Sequence, residues 1–178
     1  EVVNKRGSDD SLIVAASAAT ATRLAQGAYP GNSMDQVKWV GTIGADYGVI
    51  AVAGDSDVVT LGELLENLKT KPKKWVIGGG SAVGGWDHLK VLMAAKEYGI
   101  SNVRKIKYVS FDGGGDAVTQ LLAGNVQIFT GDVSEIKGFV DAGDIKIIAV
   151  LSPSRLPGDF SKFYTAKEQG VNVVGANW

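Results

Sequence analysis

The chain has 178 residues, 45% hydrophobic and 21% charged, with a formal net charge of -1 and no cysteine. That is enough apolar chain to bury a real core, as one domain or two small lobes. The near-zero net charge argues against a nucleic-acid face, which needs Lys and Arg in excess, and the lack of Cys excludes disulfide staples, zinc-thiolate sites and thiol nucleophiles while leaving the compartment open.

Residues 1–7, Glu-Val-Val-Asn-Lys-Arg-Gly, read as the tail of a helix closed by a glycine cap, so the chain is expected to be a piece of a longer protein. Leu12 to Ala16 is an apolar run of strand length that meets the small residues Ser17-Ala-Ala-Thr20, a strand followed by a ligand-facing loop. Val37 to Val40 and Tyr47 to Val52 read as two extended pieces interrupted by Gly41, Gly44 and Gly48, of the kind that crosses between lobes. Thr60 is an N-cap for Leu61 to Leu68, with Glu63 completing a capping box, and the basic cluster Lys69 to Lys74 is a solvated turn.

Trp75-Val-Ile-Gly-Gly-Gly80 then leads through Ser81-Ala-Val-Gly84-Gly85 into a helix ending near Tyr98, and the chain is organised around this strand, loop and helix. Glycines let a ligand approach the backbone, and the helix start offers unpaired N–H groups and partial positive charge, together an anion seat. The pattern repeats. Lys105 to Phe111 is a strand, Asp112-Gly-Gly-Gly-Asp116 a loop and the run through Leu122 a helix. Val126 to Phe129, then Thr130-Gly-Asp-Val-Ser134, then a helix to Ala142 follow the same order. Ile145 to Leu151 is the last long strand, apolar throughout as parallel strands require. A short helix near Tyr164 to Gln169 and a strand at Val171 to Val174 are expected before Trp178. The class is α/β, and its small-residue loops should converge beyond the carboxyl ends of the strands.

The glycine loop imitates a dinucleotide fingerprint, which makes a nicotinamide-dependent oxidoreductase using Gly78 to Gly84 the alternative function. The spacing departs from the common pattern, and no Gly-Lys-Ser or Gly-Lys-Thr supports a P-loop. Gly79-Gly-Ser-Ala-Val83 lacks the second glycine of a nucleophile elbow, and His88, which shares a helical face with Leu92 and Ala95, reads as structural. Asp112, Asp116 and Asp132 read as helix caps in preference to metal ligands. Asp132 also stands where it could accept from a ligand hydroxyl or amine. Trp39 and Trp75 read as core, whereas Trp86 either lines the pocket or packs the helix on the sheet. No Arg lies in the loops, yet four charge-assisted backbone bonds of about 1.5–3 kcal/mol each reach the roughly 8 kcal/mol of micromolar binding.

With these residues in view, the chain resembles the solute-binding receptors of tripartite tricarboxylate transporters, the Bug-type periplasmic family. The resemblance is carried by residues 78–89 (Gly-Gly-Gly-Ser-Ala-Val-Gly-Gly-Trp-Asp-His-Leu), 108–117 (Tyr-Val-Ser-Phe-Asp-Gly-Gly-Gly-Asp-Ala), 120–126, and 140–152, with Leu156-Pro157 and the stretch to Trp178 following in order. It implies a two-lobed, type 2 periplasmic-binding-protein (flytrap) fold with an incomplete first lobe: residues 1–47 belong to lobe 1, 48–147 form lobe 2, and 148–178 return to lobe 1. It also implies a non-enzymatic, extracytoplasmic receptor without cofactor or metal, which delivers a small organic carboxylate such as a di- or tricarboxylate to membrane transporter subunits. The ligand would be held by Ser17 and Ala18 from one side and by Ser81, Ala82, Gly84, Gly113, Gly114 and Asp132 from the other. Uncovered sheet edges in an incomplete lobe would invite self-association.

Overall fold

The computed structural model describes residues 2–177, which divide into two units. One holds the chain up to Ala45, with helices α1 (Val2–Arg6) and α2 (Ala18–Ala25) and a 3-10 turn at Met34–Gln36. The other, Asp46–Ala176, is an α/β lobe with strands β1 (Asp46–Ala53), β2 (Val76–Gly79), β3 (Lys107–Ser110), β4 (Ile128–Asp132) and β5 (Ile145–Val150). Its helices are α3 (Leu61–Thr70), α4 (Trp86–Glu97), α5 (Gly114–Leu122) and α6 (Val133–Ala142).

Helix starts follow the capping chemistry of the sequence. Thr60 accepts from the Glu63 N–H at 3.2 Å while the Glu63 carboxylate takes the N–H of Thr60 at 3.1 Å, so α3 begins where the box places it. Asp132 and Glu135 form the equivalent box at α6, and Gly143, in the left-handed region at φ 83°, ends that helix.

The sheet order is β3-β2-β4-β1-β5, with a short strand from Ala176 added to β1. Strands β2, β3 and β4 run parallel, and β1 runs antiparallel to both β4 and β5. Side chains alternate through β1: Ile50 and Val52 pack with α3 and α4 on one face, Val49 and Ala51 with α5 and α6 on the other. Both faces are thus covered, and the continuous apolar runs of β1 and β5 report that coverage. They do not report parallel pairing, because β5 lies against the antiparallel β1.

Four expected elements take other forms. Leu12 to Ala16 is irregular and lies in no strand, with Ile13 90% exposed, because an apolar run becomes a strand only where a neighbouring edge accepts its hydrogen bonds. Val37 to Val40 is irregular, and Trp39, 48% exposed, bonds the Met34 carbonyl through its indole N–H instead of entering a core. Thr165 and Glu168 build a cap, but Gly170 at φ 81° closes the chain after one turn, so no helix follows. Val171 and Val173 are buried in alternation without a ladder, with the Val173 N–H bonded to the Val171 carbonyl.

Candidate functional site

The parallel strands β2, β3 and β4 all end at one edge of the lobe, and the loops after them meet there. Gly80 lies so close to the next loop that a Cβ on it would stand 2.7 Å from the carbonyl carbon of Gly113 and the N of Gly114. A Cβ on Gly79 would strike the Tyr108 hydroxyl at 2.7 Å and the Thr130 carbonyl at 2.8 Å. On Gly114 or Gly131 it would collide with the Glu135 carboxylate. These glycines are spent on packing one loop against another, a use quite unlike the approach of a pyrophosphate in a dinucleotide site.

Inside the first loop the polar groups are largely engaged. The Ser81 N–H donates to Asp87 Oδ2 at 2.9 Å, the Asp87 N–H donates to Ser81 Oγ at 2.9 Å, and the Tyr108 hydroxyl donates to the Ser81 carbonyl at 2.7 Å. Gly84, at φ 79°, gives its N–H to His88 Nδ1 at 3.0 Å. The ring of His88 stacks on Tyr108 at 4.5 Å between centroids. Partial burial lowers the His88 pKa from its ordinary 6.5, so the ring is held as the neutral acceptor that Gly84 needs. Burial likewise pushes the Tyr108 phenol up to about 12, keeping it a donor.

Beneath the loops lies a group the sequence reading missed. Lys90 of α4 is fully buried, and its Nζ reaches Asp132 Oδ1 at 2.7 Å, the Gly131 carbonyl at 2.8 Å and Asp87 Oδ1 at 2.9 Å. All three ammonium protons therefore have acceptors. The inward face of α4 carries Asp87, Lys90, Val91, Ala94 and Ala95, so the visible signal was an Asp and a Lys three residues apart on an apolar stripe. His88 lies beside that stripe.

Asp132 sits at the end of β4, buried, holding Lys90 and capping α6. Burial raises its pKa, and Lys90 pulls against that rise. Glu135, an exposed residue, takes the Asp132 N–H at 2.8 Å; its carboxylate lies over Gly114 and Gly131, and desolvation there raises its pKa too. Of the remaining expected residues, Ala82 is exposed and Gly84 half-buried in the first loop, while Gly113, at φ 102°, is the N-cap of α5 and Gly114 its first residue. Ser17 and Ala18 belong to the other unit, where Ser17 occupies the N-cap of α2 and its carbonyl accepts from Thr20 at 2.9 Å. Trp86 is half-buried, its indole N–H enclosed without an acceptor among the described residues. Among the described residues no group of three or more acidic or histidine side chains is placed to hold a metal, and no helix is long and apolar enough to cross a membrane.

A mixed sheet covered by helices on both faces, with loops gathered at the carboxyl ends of its parallel strands, defines a lobe of the periplasmic-binding-protein fold. Within that class the chain belongs to the tripartite tricarboxylate transporter family receptors (TctC), whose family model matches residues 5–178. A TctC solute-binding protein from Polaromonas, solved without ligand, superposes with a TM-score of 0.67 at 27% identity, over 75% of this chain and 44% of its own. MatC from Rhodopseudomonas palustris with bound malate matches with a TM-score of 0.67 at 16% identity, again over 75% and 44%. A second R. palustris protein, with adipate, gives 0.66 at 24% identity over 75% and 43%. The latter two likenesses establish the fold alone, and this chain spans less than half the length of each of the three. A comparison with curated protein sequences gives no match. No finding supports the nicotinamide alternative.

Proposed function

We propose that the chain supplies the carboxylate-binding lobe of an extracytoplasmic, non-enzymatic receptor that captures a small organic acid, a di- or tricarboxylate, between two lobes and hands it to the membrane subunits of a tripartite transporter. The observation that carries this reading is the meeting of two backbone-rich loops, Gly80 against Gly113 and Gly114, at the start of α5. The first-turn N–H groups of α5 have no intrahelical partner and favour negative charge. Exposed Ala82 and Val83, in the loop that Gly80 packs against Gly113 and Gly114, would add two more amides. Because the Ser81 N–H is engaged by Asp87, Ser81 contributes its hydroxyl, and the carboxylate falls to Ala82, Val83, Gly113 and Gly114. Four such bonds at about 1.5–3 kcal/mol each cover the roughly 8 kcal/mol of micromolar affinity before ordering costs.

The family's receptor role, the malate in MatC and the adipate in the second R. palustris protein support an acid ligand. Calorimetric titration with malate, adipate, citrate and NAD tests the proposal: saturable heat with an acid and none with NAD is expected, and the reverse overturns it.

A further inference from the structure

We infer that Lys90 is a positioning residue for ligand capture, tying the loop of Ser81 to the loop of Asp132 and both to the strands by which the chain enters and leaves the lobe. This rests on the receptor reading above. The linkage is continuous. Asp87 holds the Ser81 N–H with one carboxylate oxygen and Lys90 with the other, and Lys90 holds Asp132 and the Gly131 carbonyl. Thr130 adds a bond from its hydroxyl to the Asp87 carbonyl at 3.1 Å, so Asp87 is fixed from three directions.

The Lys90 stem explains two glycines that no turn requires. A Cβ on Gly48 of β1 would meet Lys90 Cδ at 2.5 Å, and one on Gly175 would meet Lys90 Cγ at 3.1 Å. Neither glycine has a positive φ. They are bonded to each other, Gly48 N–H to the Gly175 carbonyl at 2.7 Å, and lie just inside Asp46 and Ala176, where the lobe begins and ends. The Lys90 stem thus packs closely against this bonded pair of glycines on its way to the ligand loops. A buried cation with every proton satisfied fixes the relative placement of the groups around it, because any loop movement leaves a charge unpaired.

The test is amide hydrogen exchange and calorimetry on Lys90→Met, with malate and adipate as probes. Exchange at the Ser81 N–H is expected to accelerate by about tenfold or more relative to core amides such as Leu65. Affinity for the acid bound by the wild-type chain is expected to fall about tenfold, the size of one lost charge-assisted hydrogen bond. Should Lys90→Met not fold, Lys90→Met/Asp132→Asn, which removes one of the two acids left unpaired, is read the same way. Unchanged exchange at Ser81 overturns the inference, as does faster exchange with unchanged affinity. If the wild-type chain binds neither acid, the receptor reading fails on that arm, while Ser81 exchange still decides whether Lys90 holds the loop.

Discussion

Lys90 Nζ stands 2.7 Å from Asp132 Oδ1, across 42 residues of sequence, and the pair joins the inward face of α4 to the end of β4. Removing one member of a buried ion pair strands the other's charge at a cost of about 3–5 kcal/mol. Lys90→Met, which strands two carboxylates, is therefore expected to lose about that much in urea unfolding. Lys90→Met/Asp132→Asn should recover part of the loss, showing that the charges and not the packing set its size.

Two glycines give opposite expectations. Gly48→Ala drives a methyl into the Lys90 stem and the Gly175 carbonyl, 3.2 Å away, and should cost about 1–3 kcal/mol. Gly62, inside α3, has nothing within 4 Å of where a Cβ would stand, so Gly62→Ala should stabilise by about 0.4–1 kcal/mol. The two unfolding midpoints, compared at one temperature, check both.

His88 gives the lobe an acid-side pH dependence. Its folded pKa lies below 6.5, so as pH falls past 6.5 the unfolded chain takes a proton that the folded ring refuses. The histidine's contribution is fully present above pH 6.5 and declines as pH falls toward the folded pKa, where the protonated Nδ1 can no longer accept from Gly84. Unfolding free energy measured from pH 8 to pH 5 should carry this slope, and His88→Gln should flatten it.

Glu135 places a carboxylate over Gly114, beside the proposed anion seat. Like charge weakens an anionic ligand, so Glu135→Gln, which keeps the amide oxygen that caps the Asp132 N–H, should bind a dicarboxylate several-fold more tightly with little change in stability. Titration calorimetry paired with thermal unfolding separates the two effects.

Local chemistry was legible in the sequence where it acts over a few residues. The box of Thr60 and Glu63 located α3, and glycine loops after apolar runs located β2, β3 and the helices behind them. Strand direction was not legible, since Val49 to Val52 is buried on both faces and reads the same whether its neighbours run parallel or antiparallel. Ser81 was legible as a loop residue, but the engagement of its N–H was not, because it depends on the loop turning back so that Asp87, in the first turn of α4, faces it. Lys90 escaped for a related reason: a lysine on a helix is ordinarily solvated, and only Gly48 and Gly175, 42 and 85 residues away, reveal the space made for it.

The central claim is that backbone amides of two loops in this lobe hold a small carboxylate. Its most direct test is an amide-resolved NMR titration of the chain with malate and adipate, and separately with NAD. Saturable shifts centred on Ala82, Val83, Gly113, Gly114 and Gly115 are expected with an acid, and none with NAD. Shifts at these amides with NAD alone, or acid-induced shifts that leave them unmoved, would contradict it.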